Sequence, residues 1–378
     1  MPPKTKLSMT LAGKLKAGGL VDPVKSSKTP LWGGPIDDGV TFSMLAKFLT
    51  CRERFRVRVI EGLKPHDQFS HRIEYGQMWH TCEEYHAKNE PWEPPLRAYC
   101  VNLANKYPMA REQINHWWSV CKVQYPMYVA HWQHNEDVKD RTPVFQEKVF
   151  SVPYLLPSGR TVRLRGKMDG VDQIGTSKSA GLYLFETKTK GDVDSLAIQR
   201  QLTSDLQTMI YLTALTVLED RPKRIPIKGV RYNVIKRPLS GGAGSIRQHK
   251  GSKNVPAETS ADFYARLRDV ISEQPDEFFY RWKVDVTPSD IERFRHRTLT
   301  PILEQVCDWY DHVSDMSQDP FRPVIHTPVD NDTAIHWLHP FGADNAIDLY
   351  GASDVDEYIT SGSLAGLARS EKMFGELA

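Results

Sequence analysis

Residues 161–188 constrain the fold more than any other stretch. Thr161-Val-Arg-Leu-Arg-Gly-Lys-Met-Asp169 alternates polar and apolar, the period of a half-buried strand. Val162, Leu164 and Met168 share one side; Arg163, Arg165, Lys167 and Asp169 share the other. A loop with turn-favouring residues, Gly175-Thr-Ser-Lys-Ser-Ala-Gly181, follows. Leu182-Tyr-Leu-Phe-Glu-Thr-Lys188 is then apolar on both faces until its end, as a central strand is. The two-residue period puts Glu186 and Lys188 on one face. Two neighbouring strands therefore bring Asp169, Glu186 and Lys188 together.

Two hard carboxylates suit Mg²⁺ or Mn²⁺. Such a metal, with an ammonium beside the attacking water, makes hydroxide available near neutral pH. The chemistry expected is metal-dependent phosphodiester hydrolysis. Alone, Glu-Xaa-Lys is common and most often marks a solvated strand end, so its weight rests on the rest of the chain.

At 378 residues the chain is one large domain with insertions or two domains. Residues 1–38, rich in Lys, Gly, Pro and Ser, read as a disordered basic tail. Ser43 is placed to cap a helix running to Phe55. A second helix is expected over about 71–90, with Tyr75, Met78, Trp79, Cys82, Tyr85 and His86 on its apolar face. Gly76, His80 and Glu84 lie on a different line. A helical, aromatic stretch over 96–135 is expected to break near Pro108 and Pro126. Its Trp and Tyr residues suit core packing before base stacking. Val144–Val152 reads as a strand, turned by Leu156-Pro-Ser-Gly159 into the strand of Asp169. After Lys188 come a loop, one helix to about Leu218 with Gln207 and Tyr211 on one face, and a strand over 227–235. Residues 236–260 read as a flexible basic loop. Helix returns over 263–270, and Val284-Asp-Val-Thr-Pro leads to a long helix ending near His312.

Formal net charge is only +2, so total charge does not announce nucleic acid. Its distribution is uneven: five Lys or Arg and no acid over 236–253, against eight acids and one basic residue over 319–357. A phosphate-binding surface on one part of the fold is compatible with that total. No apolar run of membrane-spanning length occurs, so no membrane partner is expected. The five cysteines are scattered, which argues for a reducing, cytoplasmic setting.

The order helix, three strands, helix, strand resembles the core of the PD-(D/E)XK nuclease superfamily. The chain is most similar to its RecB-like branch, which includes phage and CRISPR-associated exonucleases. Four motifs carry the resemblance: Gly76-Gln-Met-Trp-His80 with Glu83 and Glu84, Gly166-Lys-Met-Asp169-Gly-Val-Asp172, Glu186-Thr-Lys188 and Gln207-Thr-Met-Ile-Tyr211. The resemblance implies an α/β, restriction-endonuclease-like αβββαβ core with a mixed central sheet. That domain would cover 39–350, with a helical insertion over about 90–140, followed by a tail over 351–378. It implies Asp169, Glu186 and the Thr187 carbonyl as metal ligands, His80 as a ligand on the second-metal side, and Lys188 beside the water and the developing charge. Gln207 and Tyr211 would orient Lys188 or contact DNA. Arg165 and Lys167 join them as phosphate contacts because they share the face of Asp169.

The implied function is a Mg²⁺- or Mn²⁺-dependent deoxyribonuclease, an exonuclease of recombination, repair or phage DNA processing, in the cytoplasm of a bacterium or phage-infected host. The alternative is a catalytically idle nucleic-acid-binding or assembly protein on the same fold, and the sequence names no protein partner. Many members of the branch hold an iron–sulfur cluster on one early and three late cysteines. Cys51 stands at the early place, but 331–350 has no cysteine, so no such cluster is expected. Packing of Ile335, Trp337, Leu338, Phe341 and Ile347 against Leu45 and Phe48 is expected to replace it.

Overall fold

The structure, a computed structural model, describes residues 24–25, 30–50, 52–65, 68–176, 179–202, 205–239, 246–253, 256–314, 363–364, 367–370 and 372–377. The chain divides into two compact units. One comprises Met1–Asp67, Pro153–Arg165 and Thr300–Ala378; the other comprises Gln68–Val152 and Gly166–Leu299.

In the first unit, helix α1 is Phe42–Thr50. Its cap is Thr41 rather than Ser43: the Thr41 hydroxyl accepts the Met44 N–H at 3.3 Å. Leu45 and Phe48 are fully buried, and Phe48 meets Trp309 edge-on at 5.6 Å. The expected partners of that helix, Ile335 to Ile347, lie outside the described residues, as does Cys51. Trp32, within the stretch read as tail, is buried, and its indole N–H donates to the Gly39 carbonyl. Leu63–Pro65 pairs antiparallel with Leu367–Arg369, within the stretch read as the other tail. The turn at 156–159 forms as expected, with Gly159 at φ +84° and its N–H donating to the Leu156 carbonyl.

The second unit holds the helices α2 (His71–Ala87), α3 (Glu93–Lys106) and α4 (Arg111–Trp132). These pack around Tyr75, Met78, Trp79, Cys82, Trp117 and Tyr125, all buried. Fully burying a side chain of this size contributes about 2–3 kcal/mol, so this core, not helix propensity, holds the insertion. His86, expected on the apolar face, is exposed. Pro126 does not break the aromatic stretch; α4 runs through it, because packing on both sides outweighs one lost backbone hydrogen bond.

A five-stranded sheet carries the functional stretch. Its strands are β1 (Arg141–Leu155), β2 (Thr161–Ile174), β3 (Gly181–Lys190), β4 (Ile227–Lys236) and β5 (Phe279–Asp285), in the spatial order β1-β2-β3-β4-β5. β2 and β3 are antiparallel, β3 and β4 parallel, β4 and β5 antiparallel, so the sheet is mixed. The fifth strand was not expected from sequence; Phe279-Tyr-Arg-Trp-Lys-Val-Asp285 carries too many polar residues to read as buried. The helix expected after Lys188 is two: α5 (Ser195–Leu202) and α6 (Leu206–Val217). Asp205 divides them, its carboxylate accepting the Thr208 N–H at 2.9 Å as the cap of α6. Helices α7 (Ser260–Glu273) and α8 (Pro288–Phe294) complete the unit, and α9 (Thr300–Ser314) belongs to the first. The long helix expected before His312 is thus interrupted over Arg295–Leu299, which winds as a π-helix.

Gly166 of β2 marks a close approach between the sheet and α6. A Cβ there would stand 2.7 Å from the Phe150 ring and 2.8 Å from the Tyr211 ring. Gly166→Ala is expected to destabilise the protein by about 1–3 kcal/mol, read as a shifted denaturant midpoint. An unshifted midpoint would mean that the two rings yield freely.

Candidate active site

The site lies within the second unit, at the end of β3. The register that pairs Gly170 with Phe185 brings Asp169 beside Glu186. The Thr187 N–H donates to Asp169 Oδ2 at 2.8 Å. Lys188 forms an ion pair with Glu186 and donates to Gln207 Oε1 at 3.0 Å. Gln207 in turn donates to the Tyr211 hydroxyl at 3.2 Å, and Tyr211 stands edge-on to Phe150. His80 of α2 places Nδ1 3.8 Å from Asp169 Oδ2. Lys167 reaches the same group; Arg165 does not, and its guanidinium lies over the Phe374 ring in the first unit. Asp172, the second acid of the Gly166 motif, faces away: three residues from Asp169, it has the opposite parity. Fully buried, it pairs with Arg231 at 2.6 Å and Arg141 at 2.9 Å and serves the fold.

Two acidic residues join the group without having been assigned from sequence. Glu147 of β1 lies 3.8 Å from His80 Nδ1 and 2.8 Å from Lys167 Nζ. Glu83 of α2 accepts hydrogen bonds from the Thr187 hydroxyl at 3.3 Å and the Tyr128 hydroxyl at 3.1 Å. Glu147 has φ +48° in mid-strand, a region non-glycine residues rarely adopt. Burial alternates cleanly over 149–155 and is lost over 144–148, so the strand changes phase there. That slip is visible in sequence, where Phe145 and Val149 share a parity that Phe150 and Val152 do not.

Glu147→Gly and Glu147→Ala are expected to differ. Both lose the carboxylate, but only glycine adopts this backbone without strain. The Gly variant should be about 1 kcal/mol more stable than the Ala variant; equal stability in denaturant melts would show that no strain is stored at residue 147.

The electrostatics of the group follow from its burial. Glu186 is fully buried, and burial, then the neighbouring Asp169, pushes its carboxyl up to about 7 despite Lys188. Burial likewise lifts Asp169 to about 7, against Lys188 and the Thr187 N–H. Burial disfavours the Lys188 ammonium, but Glu186 and Asp169 outweigh it and hold the amine protonated. Lys188 meets Oε1 of the Glu186 carboxylate, and the other oxygen, Oε2, accepts no hydrogen bond among the described residues. A buried carboxylate with one oxygen unpaired is costly, and a divalent cation would satisfy it. His80, Glu147 and Asp169 each offer a ligand atom, all within 4.8 Å of one another. Carboxylate oxygens with one imidazole suit a hard or borderline divalent ion.

A family model of the PD-(D/E)XK nuclease superfamily matches residues 40–297. The chain belongs to the PD-(D/E)XK nuclease superfamily. The match spans α1, the whole sheet and every residue of the site. Nucleases of this superfamily use divalent metal ions and act on nucleic acid. The α/β fold with a mixed central sheet is the one expected from sequence, with β5 added at its edge. A comparison with curated proteins finds no match. Among the described residues no helix is long and apolar enough to cross a membrane.

Proposed function

We propose that this PD-(D/E)XK nuclease is a Mg²⁺- or Mn²⁺-dependent deoxyribonuclease of the RecB-like branch, acting as an exonuclease in recombination, repair or phage DNA processing. The observation that carries the reading is the buried Glu186 carboxylate, with one oxygen on Lys188 and the other without a donor among the described residues, set beside Asp169. Asp169, Glu186, the Thr187 carbonyl, His80 and Glu147 would hold the metal. A bound divalent ion supplies Lewis acidity toward the scissile phosphate and its attacking water. Lys188, held between Glu186 and Gln207, stabilises charge developing on the phosphate. Lys188 would position or deprotonate the attacking water. Lys167 stands beside the carboxylates as a phosphate contact.

The test is a time course on end-labelled linear and on closed circular DNA, with and without Mn²⁺. Metal-dependent loss of the linear form alone supports the exonuclease; cleavage of the circle as well makes the enzyme an endonuclease. Binding without cleavage in any metal would support the idle assembly protein instead. Buried free thiols at Cys82, Cys100, Cys121 and Cys307 accord with a reducing cytoplasm. The sequence holds no cysteine beyond Cys307 for a family-type cluster, so the purified protein is expected to be colourless. Visible absorption with stoichiometric iron would overturn that.

A further inference from the structure

We propose that Glu83 is a positioning residue: acting through the Thr187 hydroxyl, it fixes the Glu186-Thr187-Lys188 tripeptide against Asp169. The inference rests on the metal-dependent reading above. Alternation along β3 turns the Thr187 side chain to the face opposite Glu186 and Lys188. There it meets α2 and donates to Glu83 Oε1 at 3.3 Å, while its own N–H donates to Asp169 Oδ2 at 2.8 Å. One residue is thereby tied at two points, to a carboxylate on each side. Any rotation of this peptide would move Glu186 and Lys188 with it.

Glu83 is itself held. The Tyr128 hydroxyl of α4 donates to the same Oε1 at 3.1 Å. Tyr128 accepts from Asn233 Nδ2 at 3.1 Å and from Arg281 at 3.2 Å, and Arg281 Nε donates to Asn233 Oδ1 at 2.7 Å. Asn233 is the neighbour of Thr187 across β3 and β4. The helical insertion thus reaches the site through Tyr128. The other Glu83 oxygen, Oε2, is buried and accepts no hydrogen bond from the described residues. A buried, half-paired carboxyl is by itself destabilising. Groups that orient metal ligands in this way typically change metal affinity 10- to 100-fold when removed.

The test is Mn²⁺ binding to the full chain without DNA, by calorimetry, with a thermal melt of each variant. Thr187→Val and Glu83→Leu are each expected to weaken Mn²⁺ binding roughly tenfold or more. Thr187→Ser and Glu83→Gln keep the hydroxyl donor and the oxygen acceptor, and should stay within about threefold of wild type. The double variant Glu83→Leu with Thr187→Val should bind no more weakly than either single one, because both break the same bond. Should wild type fail to bind Mn²⁺, the metal-dependent reading itself falls. Wild-type affinity in Thr187→Val and Glu83→Leu would leave that reading standing and overturn this one. Lowered melting temperatures with unchanged affinity would do the same, making Glu83 a packing residue.

Discussion

Replacing Glu186 by Gln is expected to lower the cleavage rate roughly a thousandfold or more, since a metal's charge stabilisation is worth several kcal/mol and each 1.4 kcal/mol is tenfold. Folding should survive. The substitution removes a fully buried carboxylate, one oxygen of which has no donor among the described residues. It also removes the partner of Lys188, but that ammonium keeps 37% of its side-chain surface and its bond to Gln207. The two effects oppose one another, so near pH 5, where the raised carboxyl costs little, the melting temperature should lie within about 4 °C of wild type, the equivalent of ~1 kcal/mol. Nuclease rate and a thermal melt on the same preparation check both halves. Wild-type cleavage by the variant would end the assignment of Glu186 to the metal.

The metal-free protein is expected to lose stability as pH rises from about 4.5 to about 7, relative to the Glu186→Gln variant. Glu186 and Asp169 are both pushed up to about 7 by burial. In that window the unfolded chain gives up protons that the folded chain retains, so unfolding gains with pH. For one group moved from 4.5 to about 7 the loss is on the order of 3 kcal/mol, or roughly 6 °C or more of melting temperature. Histidines 71, 116 and 131, lowered chiefly by burial, work the other way in the same window. They are common to both proteins, so the difference between wild type and Glu186→Gln isolates the carboxyl. Mn²⁺ should reverse the loss above pH 7, where the carboxylates are free to bind it. A difference that stays flat from pH 4.5 to 8, with and without EDTA, would refute the raised carboxyl.

Strand parity made much of this site legible in advance. A two-residue period is enough to place Glu186 and Lys188 on one face, and hairpin pairing brings Asp169 to them. The same parity separates Asp169 from Asp172, whose buried pairing with two arginines depends on a strand, β4, distant in sequence. Glu83 and Glu147 were harder to assign. Glu83 was visible in the helix motif, but its role depends on a threonine 104 residues away. Glu147 depends on a backbone irregularity that apolar periodicity marks only as a slip. The fifth strand escaped because edge strands carry polar side chains, and Asp205 divided a helix whose apolar stripe reads as continuous.

The division of the chain into interleaved segments has a consequence for its synthesis. The first unit draws on residues before 67, the turn at 153–165 and everything from Thr300 onward. At that turn Arg160 pairs with Glu304 and Asp308 of α9, partners more than 140 residues later. The second unit, with the whole catalytic group, takes no segment from beyond Leu299. On the ribosome, every segment of the nuclease site is therefore available while residues 30–65 still wait for the last helix of their own unit, α9.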